Sequence, residues 1–360
     1  MEPIMAERAL LLTNGLLATP NAKTAHGLIR DSERYTIVGV IDPPTAGRDA
    51  GEVLDGKNRQ IPVFATLEDA LAQVGPVQYG IVGVATTGGI LPLEVLFLIE
   101  TCLQNGLSVV NGLHDLLNDR PTLVQLAAEN NAQLIDIRKP KPRADLHFWS
   151  GEVFRITAPI IAVLGMDCAM GKRTTARLLT QACQAAGLNA QMIYTGQTGW
   201  LQGGQYGFVF DSTLNDFISG EIEHALVTCW RETGAEVLFI EGQSALRNPS
   251  GPCGLEFIVS GNAKHVVLMH APKRRYFDYE PHWGEIPPVE SEIEIIQKFG
   301  ADVIALALHT EDCTPEEARQ FQRDYADRLG IPVLLPLEEG LEPVVPKIRQ
   351  LVEKTVRYAD

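Results

Sequence analysis

The chain has 360 residues, too many for one ordinary domain and suited to two. With 45% hydrophobic and 21% charged residues, 32 Gly and 22 Pro, it reads as globular: disorder needs lower hydrophobicity and collagen needs periodic glycine. The 45 acidic against 30 basic side chains give a formal charge of -15, a field that repels phosphate backbones and anionic headgroups, so nucleic acid and membrane surfaces are not expected partners. A small anionic ligand responds to its local site and stays open.

Cys102, Cys168, Cys183, Cys229, Cys253 and Cys313 are scattered, with no CxxC pair or zinc-finger spacing, which argues against a disulfide framework. The apolar run at residues 10–12 stops at Asn14 and Gly15, unlike a signal peptide, and no apolar stretch approaches the roughly 20 residues of a membrane helix. A cytoplasmic protein is the expectation.

Short aliphatic runs alternate with helical patterns throughout, the order of parallel sheets covered by helices. Strands are predicted at 9–12, 37–41, 79–84, 108–111 and 133–137, with helices at 66–73, 93–105 and 122–130, a Rossmann-like series. Asp42 follows the second strand, where a Rossmann acid would hold a ribose hydroxyl, but no GxGxxG opens the first helix. Lys23 and His114, near strand ends, are candidate substrate-binding residues, as is the loop 83–89 for a cofactor. Residues 138–152, with Pro140 and Pro142, break the rhythm and read as a linker, placing a Rossmann-like domain over 1–150 and a second α/β domain over 151–360.

In the second half strands are predicted at 160–164, 191–194, 237–240, 265–269, 303–307 and 332–335, and helices at 172–186, 216–232, 291–299, 315–329 and 344–357. The segment GMDCAMGKRTT, Gly165 to Thr175, lies between the first of these strands and a helix. Backbone amides there form an anion nest at the positive end of a helix, and a lysine adds a point charge. Gly165, Asp167, Gly171, Lys172, Arg173, Thr174 and Thr175 are therefore the candidate phosphate-binding residues. Five residues rather than four separate Gly165 from Gly171, and Asp167 stands two places after Gly165; both features resemble dethiobiotin synthetase and related ATP-using P-loop enzymes. Arg173 occupies the place of the usual magnesium-binding Ser or Thr. An arginine cannot bind a metal but suits phosphate oxygens. Either Thr174 takes over in a shifted register, or the loop holds a phosphate that is not cleaved, as in coenzyme A.

Glu241 ends a strand, where that same resemblance places a magnesium-binding acid; it and Asp216 are candidate proton acceptors. Thr195, Gln197 and Thr198 lie in a Gly-rich turn after another strand and could meet a small polar substrate. Lys273, Arg274 and Arg275, a basic run in an acidic chain, are candidates for a substrate carboxylate. Cys168 lies within the loop, whose backbone donors would lower a thiol pKa and make it a candidate nucleophile.

The set Lys23-Thr24-Ala25, Gly39-Val40-Ile41-Asp42, Asn111-Gly112-Leu113-His114, Asp136-Ile137-Arg138-Lys139-Pro140, Gly165 to Thr175 and Glu241-Gly242-Gln243 resembles a bacterial two-domain family of the DUF1611 type, over nearly the whole chain. That resemblance implies a Rossmann-like domain followed by a P-loop NTPase-like three-layer α/β/α sandwich. It further implies N-acylation of a small acidic amino acid, D-glutamate, from acetyl-CoA. The family commonly has Thr where this chain has Met166 and Met where it has Arg173, so the missing hydroxyl after the lysine is shared. Two other readings stand beside it: an ATP-dependent ligase or kinase with Mg²⁺ on Thr174 and Glu241, and a non-enzymatic nucleotide sensor. A homo-oligomer is the default for a chain of this kind.

Overall fold

The computed structural model describes residues 7–357, which form two compact units. Of these, residues 7–140 and 197–203 make up the first, and 141–196 and 204–357 the second.

The first unit is a six-stranded, wholly parallel sheet. Its strands are β1 (Glu7–Leu12), β2 (Tyr35–Ile41), β3 (Val63–Phe64), β4 (Tyr79–Val82), β5 (Ser108–Asn111) and β6 (Leu134–Asp136), in the spatial order β3-β2-β1-β4-β5-β6. Alternate residues of each strand enter different cores, as a pleat requires. Leu10, Leu12, Phe64, Val82 and Val109 pack with α3 (Leu67–Val74), α4 (Leu93–Gln104) and α5 (Pro121–Glu129). Ala9, Leu11, Val63, Ile81 and Val110 pack with α1 (Lys23–Arg30) and α2 (Ala50–Asp55). Both faces are therefore covered, the doubly wound arrangement expected of this order of elements. Helix α1 was not legible in the sequence: Gly27 interrupts it and its N-terminus has no side-chain cap.

Asp42 does not serve as an open ribose acceptor. It is fully buried, and its carboxylate accepts from Thr13 Oγ1 (2.9 Å), the Gly15 and Leu17 amides (2.6 and 3.1 Å) and Thr45 Oγ1 (2.6 Å). In the absence of a glycine-rich fingerprint, the loop after β1 closes over the end of β2 and consumes the acid. Asp42→Ala should lower the unfolding free energy by about 3 kcal/mol, because several buried donors lose their acceptor together. Urea denaturation checks this.

The second unit is a seven-stranded parallel sheet of β7 (Ile160–Gly165), β8 (Ala190–Tyr194), β9 (Tyr206–Gly207), β10 (Val237–Glu241), β11 (His265–His270), β12 (Asp302–Leu308) and β13 (Val333–Leu334), in the order β13-β12-β11-β7-β10-β8-β9. Its helices are α6 (Lys172–Ala185), α8 (Ile218–Thr233), α9 (Leu255–Val259), α10 (Val289–Lys298), α11 (Pro315–Leu329) and α12 (Val345–Arg357). Strand β7 is buried along its length, so it reads as continuous rather than alternating hydrophobicity. Among the described residues no helix is long and apolar enough to cross a membrane.

The contacts divide the chain after Pro140, ten residues before the expected boundary at 150. Two buried carboxylates on α8 explain the difference. Glu221 accepts from Lys141 Nζ (2.7 Å) and from the amide and Nδ1 of His147 (2.9 and 2.8 Å). Glu223 accepts from the Ser150 amide and hydroxyl (2.6 and 2.8 Å) and the Val153 amide (3.1 Å). Burial alone would raise both acids, but these donors hold each below the ordinary carboxylate range. The expected linker is thus strapped to the second unit. The second difference is α7 (Gln197–Leu201), a short helix belonging to the first unit, where Leu201 is buried with Leu28 and Ile29 of α1.

Candidate functional site

The phosphate loop forms as its sequence requires. Strand β7 delivers Gly165, the loop turns with positive φ at Ala169 (49°) and Gly171 (85°), and Lys172 begins α6. Among the described residues, the amides of Ala169, Met170 and Gly171 donate to no protein acceptor, as an anion nest demands. Lys172 is buried, and its Nζ donates to the carbonyl of Asp167 (2.7 Å). Burial pulls its pKa down, partly offset by Cys168, Asp167 and Glu241 nearby. Arg173 and Thr174 are half-buried on the first turn of α6, while Thr175 is buried there.

Glu241 ends β10 beside this loop. The following residue must be glycine, because a Cβ on Gly242 would collide with the Val163 carbonyl oxygen. Glu241 accepts from the Thr195 amide (3.1 Å), and the Thr195 hydroxyl donates to the Glu241 carbonyl (2.8 Å) while accepting from Gln243 Nε2 (2.8 Å). Thr195 therefore positions the acid. Burial raises the pKa of Glu241, and the charges of Arg173 and Lys172 with the Thr195 and Gly196 amides only partly oppose it. A buried carboxylate whose pKa is raised above its ordinary range is a stronger base than a solvated one and is suited to accept a proton.

Asp167 is fully buried. Its Oδ1 accepts from Asn248 Nδ2 (2.7 Å), and its Oδ2 from Arg274 Nη1 (3.1 Å) and the Asp278 amide (2.8 Å). It supports the loop's shape, with three protein donors on its two oxygens. Asp167, Cys168 and Asp278 bring three possible metal ligands within 4.8 Å of one another, and Asp167 already accepts from three protein donors there. Glu241 lies within the field of the positive charges of Arg173 and Lys172.

Several expected site residues lie elsewhere or are already committed. Lys273 pairs with Glu317 (2.6 Å), Arg275 with Glu285 (2.6 Å), and Arg274 with Asp167 and Glu311 (3.1 and 2.9 Å), so each cation of the basic run has an acidic partner within the chain. Asp216 is exposed on a short turn before α8, a poor place for a base that must be desolvated. Gln197 and Thr198 belong to the first unit, where Gln197 accepts from Arg138 (3.0 Å) and Thr198 bonds Thr24 (3.5 Å). Lys23 and His114 are exposed in that unit, at the start of α1 and after β5. The thiol of Cys168 runs opposite to expectation: burial raises its pKa, with Lys172 and a contact to Ser244 Oγ (3.5 Å) offsetting only part.

Asn248, Asp278, Tyr279 and Glu311 were missed. Glu311 could have been found by the rule that located Glu241, since it closely follows the end of β12. Asn248 and Asp278 lie in irregular loops and carry no periodic signal.

Two family models match the chain. Residues 147–345 match one described as "Domain of unknown function (DUF1611_C) P-loop domain", and residues 43–140 one described as "Domain of unknown function (DUF1611_N) Rossmann-like domain". A protein named D-glutamate N-acetyltransferase from Pseudoalteromonas sp is 28% identical over 275 residues, covering 74% of this chain and 80% of that protein. Another of the same name, from Tritonibacter scottomollicae, is 29% identical over 326 residues, 89% of this chain and 91% of that one. The crystal structure of a DUF1611 family protein from Anabaena variabilis superposes with a TM-score of 0.86 at 28% identity, covering 96% of this chain and 99% of that one.

Proposed function

The chain belongs to the DUF1611 family, and from that membership we propose that it is an N-acyltransferase, transferring an acetyl group from acetyl-CoA to the amine of a small acidic amino acid, D-glutamate. The observation that carries this reading is Glu241: a buried carboxylate with a raised pKa, beside a phosphate loop whose position after the lysine offers a guanidinium instead of a metal-binding hydroxyl. The two relatives named D-glutamate N-acetyltransferase support the choice of reaction and substrate.

Acetyl-CoA supplies an activated thioester. The nest at Ala169 to Gly171, with Lys172, Arg173 and Thr174, grips its phosphates by amide donors and positive charge. Glu241 takes the proton that the attacking nitrogen must lose as the C–N bond forms and the C–S bond breaks. That proton then goes to the departing thiolate, leaving N-acetylated product and free CoA thiol. Because the reaction cleaves no phosphate bond, a magnesium ion has no step to perform.

The direct test follows CoA thiol release from acetyl-CoA with D-glutamate, against L-glutamate and D-aspartate. Titrations with acetyl-CoA, ATP, and ATP plus magnesium should show acetyl-CoA binding without a magnesium requirement. ADP release with a carboxylate substrate, or tight nucleotide binding with no turnover on any acidic amino acid, would reject the proposal. Cys168→Ala should keep turnover within about threefold of the parent chain, since a thiol held protonated by burial is no nucleophile. Accumulation of an acetylated Cys168 peptide in mass spectra would contradict that.

A further inference from the structure

We propose that Arg274 is a positioning residue for the phosphate loop: its guanidinium pins one peptide plane of the loop, and the affinity of the loop for phosphate depends on that pin. The inference takes from the proposed function only that the loop binds a phosphate.

The sheet order explains how a residue so distant in sequence reaches the loop. Strand β11 lies between β7 and β12, so the segments after these three strands emerge side by side at one edge. The loop follows β7, Arg274 follows β11 and Glu311 follows β12. The Arg274 side chain is 2% exposed. Its Nη1 donates to Asp167 Oδ2 (3.1 Å) and to the Cys168 carbonyl (2.7 Å). Its Nη2 donates to Tyr279 Oη (2.6 Å) and Glu311 Oε2 (2.9 Å), and the guanidinium carbon lies 4.3 Å from the centre of the Tyr279 ring. The fork is thus held on its outer side and grips the loop on its inner side.

Peptide planarity turns this grip into control of the nest. In a trans peptide the carbonyl of one residue and the amide of the next point in opposite directions, and there is no cis peptide bond among the described residues. Fixing the Cys168 carbonyl against Arg274 therefore aims the Ala169 amide away from Arg274. Lys172, through the Asp167 carbonyl (2.7 Å), fixes the preceding plane in the same way. Two cations hold two consecutive planes, and the next residue, Ala169, is kept at a φ of 49° that a residue with a Cβ rarely adopts. A lysine at 274 has a single ammonium and no planar fork to serve both the loop and Glu311.

The test uses the full chain with Arg274→Ala, Arg274→Lys and Glu311→Gln. Acetyl-CoA binding is measured by calorimetry, turnover by thiol release, and loop exposure by the iodoacetamide labelling rate of the Cys168 peptide with and without inorganic pyrophosphate. Arg274→Ala should raise KM and Kd at least tenfold with a smaller change in kcat, and should speed Cys168 labelling and weaken its protection by pyrophosphate. Millimolar methylguanidine should restore much of the affinity, whereas Arg274→Lys should not. Unchanged Kd and labelling in folded Arg274→Ala would overturn the proposal, as would a loss that methylguanidine leaves untouched. If Arg274→Ala does not fold, Glu311→Gln decides: faster labelling and a few-fold weaker protection are expected, and unaltered values reject the pin. Labelling and pyrophosphate protection need no acyl transfer, so an inactive parent chain would refute the proposed reaction without touching this inference.

Discussion

Glu241→Gln should reduce acyl transfer by about 10²- to 10⁴-fold while leaving the fold at least as stable as the parent at neutral pH. The amide keeps an oxygen for the Thr195 N–H but cannot take a proton from the attacking amine. The stability half follows from the raised pKa. The folded chain holds the Glu241 proton more tightly than the unfolded chain, whose ordinary value is 4.5. Its contribution is therefore complete below that value and is lost as pH rises through the folded pKa. Glutamine removes that loss, so the stability of the variant relative to the parent should increase as pH rises from about 4.5, measured by denaturation at several pH values. The same shift sets the rate profile: kcat should rise with pH along a limb displaced above the ordinary carboxylate range, and the limb should vanish in the variant. A variant with full turnover would dismiss Glu241 as the base.

Lys172→Met should weaken acetyl-CoA binding about 10- to 100-fold, the effect of one charge-assisted contact of about 1.5–3 kcal/mol. Methionine has nearly the same reach and suits the buried stem, so the core around Gly165 should be kept; a Cβ added to that glycine would already lie 3.1 Å from the Lys172 side chain. Because burial disfavours the charged ammonium, the variant should not be less stable at neutral pH. The loss should fall on Kd and KM more than on kcat, since Lys172 is assigned to the phosphates and not to the reacting carbonyl. Calorimetry with acetyl-CoA checks the prediction, and unchanged affinity would separate the loop from the ligand.

Both parallel sheets were legible because their strands are local signals, short aliphatic runs between helical periods. The elements that escaped were those with little local signal: the two-residue strands β3 and β9, and the short helices α1, α2, α7 and α9, whose stability comes from packing rather than propensity. The phosphate loop was legible for the same reason in reverse, since its chemistry needs only contiguous residues: glycines for the turn, amides for the nest and a lysine at the helix start. Glu241 was legible because the strand ends of an open parallel sheet face the ligand crevice, and an acid placed there just before a glycine is positioned to meet what binds.

By itself, then, the sequence determined two parallel α/β units, a phosphate loop without the usual metal-binding hydroxyl, and an acid at the neighbouring strand end. Only the tertiary structure decided which charges remain for chemistry. Lys273, Arg274 and Arg275 look alike as a basic run, yet each is claimed by a different acid, and Arg274 reaches back 107 residues to Asp167. Asp42 looked open and is sealed, Cys168 looked acidified and is raised, and residues 197–203 looked like part of the P-loop unit and fold with the other. The reason is common to all of them: burial and charge pairing depend on partners brought together by the sheet order, and those partners are far apart along the chain.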